Sequence, residues 1–316
     1  MPKSLLLVVP CYNEEEILLN SFDILEKYLN GLIAKGLVSD NSKVCMVDDG
    51  SKDNTWQIIG DLCAKSPLAA SLKLSKNFGH QSAVLAGLLE TKDLYDFFIT
   101  IDADLQDDIA VIEEMVIKHS EGAKVVYGVR NDRTSDSFFK RFTAESFYTL
   151  MLKMGVPVIH NHADFRLMDK IVINELESYK EVNLFLRGII PTIGFKSEKV
   201  FYARKEREAG ESKYPLSKML AFAWNGITSF STTPMRIVLW FGFFNFLLAL
   251  GITVYVIASK IMGTTVQGWT STLLPMAYFS GSNMIAIGLV GEYLGKVYQE
   301  IKARPRYIIE ERKNLG

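Results

Sequence analysis

Cysteine is scarce in this chain, and the few present exclude two kinds of framework. Cys11, Cys45 and Cys63 lack metal-ligand spacing and suggest no disulfide scaffold. They fall in or beside expected core elements and read as reduced packing residues, which suits a cytosolic catalytic domain. Histidine is almost as rare, with four in 316 residues. His80, His160 and His162 show no metal spacing either and read as structural or surface residues. Excess charge is missing too: 35 Lys and Arg against 36 Asp and Glu leave a formal net charge of -1, which argues against nucleic acid as a partner. No Gly-x-Gly-x-x-Gly follows the first apolar run and no Gly-x-x-x-x-Gly-Lys-Ser/Thr occurs, so the usual dinucleotide and P-loop fingerprints are absent. The apolar run at 5–9 stops at Pro10, too short for the hydrophobic region of a signal peptide, and reads as a β-strand.

What is present is an alternation. Short apolar runs near 5–9, 43–47, 70–74, 97–101 and 124–128 alternate with helical patterns near 15–34, 54–64, 80–89 and 109–119. That order implies an α/β fold with a doubly wound sheet. Three of the runs end in polar side chains: Pro10-Cys11-Tyr12-Asn13-Glu14 after the first, Asp48-Asp49-Gly50-Ser51 after the second, Asp102-Ala103-Asp104-Leu105-Gln106-Asp107 after the fourth. In an open parallel sheet such residues collect in the crevice beyond the carboxyl ends of the strands, where ligands bind. Local structure accounts for part of this, since Asn13 with Glu16 forms a capping-box pattern, Asp49-Gly50 a turn, and Asp107 or Asp108 an N-cap. It does not account for three successive acidic strand ends, because an acidic crevice repels phosphate unless a metal is present. Asp102, Asp104 and Gln106 lie two apart and would share a face if the chain stayed extended. Their oxygens suit Mg²⁺ or Mn²⁺.

Composition changes after about residue 234. No charged residue occurs from 237 to 259 or from 261 to 291, as hydrocarbon about 30 Å thick requires of helices. Two C-terminal transmembrane helices are expected, at 237–259 and near 273–291, with Pro275 in the second. The expected layout is a catalytic domain at 1–214, an amphipathic interfacial region at 215–235, a transmembrane hairpin at 236–291 and a basic tail at 292–316. Arg236 and the tail residues Lys296, Lys302, Arg304, Arg306, Arg312 and Lys313 flank the hairpin, while its connecting loop has no basic residue, so both chain ends are expected in the cytoplasm. Gly281, Ser282 and Gly288 would permit packing between subunits as a homo-oligomer without fixing its number.

The ordered motifs Val9-Pro10-Cys11-Tyr12-Asn13-Glu14, Val47-Asp48-Asp49-Gly50-Ser51, Asn77-Phe78-Gly79-His80 and Asp102-Ala103-Asp104-Leu105-Gln106-Asp107 resemble those of family 2 inverting glycosyltransferases with the GT-A fold. Asp164-Phe165-Arg166, Arg207-Glu208-Ala209-Gly210-Glu211-Ser212-Lys213, Gly291-Glu292-Tyr293-Leu294-Gly295-Lys296 and Arg304-Pro305-Arg306-Tyr307 extend the resemblance to the polyprenyl-phosphate glycosyltransferases over almost the whole chain. Ala163-Asp164 stands where dolichol-phosphate mannose synthases have Ser-Gly, which points towards the bacterial glucosyltransferase branch.

The resemblance implies a GT-A type mixed sheet and transfer of glucose or N-acetylglucosamine from a UDP-sugar to undecaprenyl phosphate at the bacterial cytoplasmic membrane. It implies donor contacts from Pro10, Tyr12, Asn13, Glu14, Asp48, Asp49, Asp102 and Ala103, and metal ligation by Asp102, Asp104 and Gln106. Arg130, Arg133, Arg141 and Arg166 would meet the acceptor phosphate. Asp104, Asp164, Arg207 and Lys213 would act in catalysis, Lys213 against the charge of the departing diphosphate and Asp164 as a base or an orienting group. Two other readings exist. A processive polysaccharide synthase of the same fold should carry Gln-x-x-Arg-Trp and more spans, neither of which is present, and a membrane-tethered nucleotide-sugar sensor or scaffold would have no use for an intact metal cluster.

Overall fold

The structure is a computed structural model; it describes residues 2–130, 162–181, 185–203, 232–262 and 269–315. Expected strands appear as β1 (Leu5–Cys11), β2 (Lys43–Asp48), β3 (Ala69–Leu74), β4 (Phe97–Thr100) and β5 (Val125–Arg130). Expected helices appear as α1 (Leu18–Ala34), α2 (Thr55–Lys65), α3 (His80–Thr91) and α4 (Val111–Ser120). Beyond them lie β6 (His162–Asp169), α5 (Lys170–Glu177), α6 (Leu186–Ile193), β7 (Ser197–Tyr202), α7 (Thr233–Ile261), α8 (Trp269–Ile301) and β8 (Ile309–Lys313). The described residues fall into two compact units, one holding β1 to β8 with α1 to α6, the other α7 and α8.

In the first unit the strands form one mixed sheet in the order β7-β5-β6-β4-β1-β2-β3-β8. β1, β2, β3 and β4 run parallel, β6 runs antiparallel to both β4 and β5, and β8 runs antiparallel to β3. Alternation along β1 divides the core. Leu5, Leu7 and Val9 join a cluster with Leu18, Phe22 and Leu25 of α1, Ile59 and Leu62 of α2, and Ile112 and Met115 of α4. Val8 faces the other layer, where α3 lies so close that a Cβ at Gly87 would sit 2.4 Å from Val8 Cγ1 and 3.0 Å from Val47 Cγ2.

Strand direction decides where the polar residues go. β1, β2, β4 and β5 all end at one edge, and antiparallel β6 begins there, with Thr100 opposite Arg166. Thr100 Oγ1 also donates to the Asp164 carbonyl. The end of β7 arrives at the same edge, Tyr202 lying beside Arg130. One rim therefore carries residues 10–14, 48–49, 102–107, 130, 164 and 202.

Residues 303–315, expected as a basic tail, instead return to the sheet. β8 occupies the edge beyond β3, and its charges are engaged there: Lys73 Nζ lies 3.2 Å from Glu310 Oε2, Arg312 pairs with Glu90, and Lys313 Nζ sits 4.6 Å above the Trp56 ring. Arg306 donates to the Tyr179 carbonyl at 2.5 Å and Asn314 Nδ2 to the Cys63 carbonyl at 2.6 Å. A strand this charged suits a sheet edge, where it discourages pairing with other chains.

In the second unit, one helix among the described residues is long and apolar enough to cross a membrane: α7, over Thr233–Ile252, with a mean hydropathy of 1.9. The second expected span falls within α8, which contains Pro275 and continues past residue 291 to Ile301. Leu239, Trp240, Phe244 and Phe246 of α7 and Met284, Ile285 and Ile287 of α8 are exposed. The interfacial region expected at 215–235 lies outside the described residues up to 231.

Candidate active site

The loops after β1 and β2 are laced together through the backbone. Asn13, with a left-handed φ of 56°, accepts from Lys52 N through Oδ1 at 2.8 Å, and its own N–H donates to Ser51 Oγ at 3.0 Å. Glu14 N donates to Thr55 Oγ1 at 2.9 Å, and Glu15 Oε2 accepts from Asn54 N at 3.0 Å. The expected capping box of Asn13 and Glu16 does not form, because α1 starts at Leu18 after a turn at 15–17 and Ile17 gives no side-chain cap. Asn13 fastens the two loops instead. Tyr12, beside this clasp, is 40% exposed and is the large ring offered at the rim.

Asp48 and Asp49 are both buried, with different tasks. Asp49 Oδ1 accepts from Phe78 N at 2.7 Å and Oδ2 from Gly79 N at 2.9 Å, so both oxygens fix the turn into α3. Asp48 Oδ1 accepts from Ser51 N at 3.3 Å, while its Oδ2 is buried without a partner. Burial pushes the Asp48 carboxyl up, against the opposing hydrogen bonds from Ser51. A solitary buried acceptor at a strand end is costly unless a ligand supplies a donor.

After β4 the extended conformation does not persist. Leu105 N donates to the Asp102 carbonyl at 3.2 Å, and Leu105 has a φ of 44°, which is strained for a bulky residue. The face-sharing expected from two-residue spacing is therefore replaced by a turn: Ala103 and Gln106 are buried, Asp102 is partly exposed and Asp104 exposed. Asp104 Oδ1 accepts from Gln106 N at 3.3 Å. Burial raises the Asp102 pKa, opposed by His80 and reinforced by Asp164 and Asp107. Among the described residues no group of three or more His, Cys, Asp or Glu is placed to hold a metal. Two carboxylates with an amide still suit a magnesium-like ion, which commonly takes one or two carboxylates and completes its shell with water and substrate phosphate.

Asp107 does not cap α4. Its Oδ1 accepts from Arg130 Nε at 3.2 Å, Arg130 Nη2 at 2.9 Å and Tyr202 Oη at 2.7 Å, tying the turn to β5 and β7. Asp108 Oδ1 accepts from Ala110 N at 3.1 Å and fixes the start of α4. Arg130, expected at the acceptor phosphate, is thus committed to a neighbouring carboxylate.

Asp164 pairs with two guanidiniums. Its Oδ1 accepts from Arg166 Nη2 at 2.6 Å and Arg187 Nε at 3.1 Å, and its Oδ2 from Arg187 Nη2 at 2.8 Å. Burial would raise its pKa, but the charges of Arg187 and Arg166 outweigh burial and hold it far below the ordinary carboxylate range. Arg166 itself is fully buried and also reaches the Leu186 carbonyl at 3.5 Å, so it lies beneath the rim. His80 Nε2 stands 3.7 Å from both Asp102 Oδ1 and Asp164 Oδ2. His80 and Arg187 were not foreseen, since a lone histidine and an arginine ahead of an apolar stretch carry no spacing signal. Arg133, Arg141, Arg207 and Lys213 lie outside the described residues.

The family model for glycosyl transferase family 2 matches residues 6–177, which span every described rim residue except Arg187 and Tyr202. The chain belongs to glycosyl transferase family 2. This family 2 glycosyltransferase is 49% identical to the uncharacterized glycosyltransferase YkoT of Bacillus subtilis, over 97% of this chain and 91% of that one. It is 39% identical to the bactoprenol glucosyl transferase of Shigella phage SfX, covering 97% of this chain and 99% of that protein. The prophage bactoprenol glucosyl transferase homolog of Escherichia coli is also 39% identical, over 97% and 98%. These similarities run well past residue 177, so they include the long helices and the returning strand.

Proposed function

We propose that this glycosyltransferase moves a sugar, glucose or N-acetylglucosamine, from a UDP-sugar to a polyprenyl phosphate, with inversion, at the cytoplasmic face of a bacterial membrane. The observation that carries the reading is the rim itself: strand ends holding an orphan buried acceptor, an exposed carboxylate pair and an arginine-bound carboxylate, in a chain alike along its length to bactoprenol glucosyl transferases. The uracil ring would stack near Tyr12, between Pro10 and Glu14, and its imide N–H would satisfy Asp48 Oδ2. Asp102 and Ala103 would lie along the ribose and diphosphate.

Mg²⁺ or Mn²⁺ on Asp102, Asp104 and Gln106 would supply positive charge against the diphosphate. A phosphate oxygen of the acceptor attacks the anomeric carbon as the bond from that carbon to the UDP oxygen breaks, so a single displacement inverts the centre and UDP leaves. That oxygen is already anionic near neutral pH and needs no general base. Lys213 and Arg207 would meet the charge of departing UDP, and Arg133 and Arg141 the acceptor.

Chain connectivity supports a membrane hairpin. The sheet includes strands before α7 and a strand after α8, and one sheet cannot lie on both sides of a bilayer. In this reading the crossings between β7 and β8 are even in number, and α7, which is long and apolar enough to cross, would be paired with α8. Such a hairpin would tether the enzyme to the membrane that holds its acceptor.

The test is transfer of radiolabel from a panel of UDP-sugars to undecaprenyl phosphate by purified full-length protein, with Mg²⁺, Mn²⁺ or EDTA. Labelled lipid from one donor, lost in EDTA, is the expected result. Asp104→Ala should lower transfer by about a hundredfold or more, the scale of losing a charge-stabilising group. UDP binding without transfer from any donor would favour the sensor or scaffold instead, and full activity of Asp104→Ala would overturn the metal assignment.

A further inference from the structure

The transfer scheme above leaves an exposed side chain of the rim without a task. His80 is the first residue of α3, its side chain is 42% exposed, and its Nε2 stands 3.7 Å from Asp102 Oδ1 and 3.7 Å from Asp164 Oδ2. We propose that His80 contacts the transferring sugar, its ring accepting a hydrogen bond from a sugar hydroxyl, and so helps decide which sugar the enzyme moves. This rests on the UDP-sugar reading above and deepens it.

A donor sugar projects from its diphosphate, so a group that reads it must stand beside the diphosphate end of the rim without belonging to the metal set. Asp102 marks that end, and His80 is next to it. Asp164, the other neighbour of the ring, belongs to β6, the strand beside β4. The imidazole thus borders both the loop after β4 and β6.

Its two carboxylate neighbours do not bind it tightly. Separations of 3.7 Å exceed hydrogen-bond reach, so neither holds the ring as Asp107 holds Arg130 or Asp164 holds Arg166. With Nε2 facing two carboxylates, the proton of the neutral imidazole belongs on that nitrogen, which leaves Nδ1 as the acceptor. A sugar hydroxyl can donate to it.

The backbone on both sides of His80 is fixed. Asp49 accepts from Phe78 N at 2.7 Å and from Gly79 N at 2.9 Å, and the Gly79 carbonyl accepts from Ser82 N at 2.9 Å. Gly79 itself has a φ of 93°, a conformation that favours glycine. On the other side Gln81 Oε1 accepts from Leu186 N at 3.1 Å, tying the first turn of α3 to α6. A ring carried on a fixed backbone has little left to order when a ligand arrives.

Purified full-length protein with undecaprenyl phosphate in detergent micelles tests this, using the preferred UDP-sugar and its monodeoxy analogues. For the analogue lacking the contacted hydroxyl, wild type should lose about threefold to tenfold in kcat/KM, the worth of one hydrogen bond. His80→Ala should lose a similar factor with the complete sugar and nothing further with that analogue, while every other analogue keeps its wild-type penalty. UDP affinity by calorimetry and the KM for undecaprenyl phosphate should stay within about twofold, which a collapsed rim would not allow. His80→Asn, whose side-chain oxygen takes the place of Nδ1, should restore part of the discrimination. Should His80→Ala fail to bind UDP, the same comparison on His80→Phe, which keeps a ring without nitrogens, decides the matter. Analogues that all keep their wild-type penalties in a UDP-binding variant overturn the proposal, as does a loss of UDP affinity in His80→Phe equal to its loss for the UDP-sugar. Wild-type protein that transfers no sugar to the lipid overturns the underlying reading instead.

Discussion

Asp48 shows how a single residue can trade stability for binding. Its carboxylate is buried with one oxygen unpartnered, an arrangement that costs about 1–3 kcal/mol in other proteins. Burial raises its folded pKa, so the folded state keeps the proton to a higher pH than the unfolded chain does. Stability therefore falls as pH rises from the unfolded value, about 3.9, through the raised folded one. Asp48→Asn removes that decline. Without nucleotide, the variant should melt higher than wild type at pH 7 and show a flatter dependence of Tm on pH. In calorimetry it should bind UDP more weakly by about tenfold, the worth of one hydrogen bond to a charged group. A lower Tm with unchanged UDP affinity would refute this account of the residue.

At the scale of elements, α3 matters because its first residue is His80 and its middle rests directly on β1 and β2. Alanine in place of Gly87 gains about 1 kcal/mol of helix propensity, but a Cβ 2.4 Å from Val8 Cγ1 must push the helix away. Overpacking of this kind costs about 1–3 kcal/mol, so the clash wins. Gly87→Ala should lower both Tm and transfer rate, and Val8→Ala in the same chain should recover part of each; an unchanged Tm would show that the layers yield freely. Elements with an ordinary apolar pattern, β1 to β5 and α1 to α4, were legible in the sequence to within a few residues. β6 and β8 were not. β6 carries Asp164 and Arg166, which pair with each other two residues apart and with Arg187 and the Leu186 carbonyl of α6, and this pairing offsets a burial that the sequence pattern does not announce. β8 is Ile-Glu-Glu-Arg-Lys, a composition that a sheet accepts only at its edge. The rim was legible in its residue types, since the strand ends mark it, but not in its wiring: Leu105 turns the acidic motif out of line, and Asp107 spends itself on Arg130 and Tyr202.

For the whole molecule, one sheet takes strands from before α7 and from after α8 in sequence, so the proposed membrane hairpin requires both sets of strands on one side of the bilayer. Cys11, Cys45 and Cys63 are buried, so they give little background to a thiol probe. Lys52→Cys, in the loop after β2, and Glu311→Cys, in β8, are at exposed positions before and after α7 and α8 in sequence. In sealed membrane vesicles, a maleimide that cannot cross the bilayer should label both or neither, according to vesicle orientation. Labelling of one and protection of the other would break the even count of crossings.

The returning strand also sets an order of events during synthesis. Ile309–Lys313 leaves the ribosome only after α7 and α8, so β3 stays an open edge until both helices have been made. A nascent chain halted within α7 or α8 would present an unpaired β-edge to proteases and chaperones, whereas one that has passed both helices covers that edge with β8. Closure of the sheet at β3 is thereby ordered in time: it follows the synthesis of α7 and α8, although neither helix belongs to the sheet.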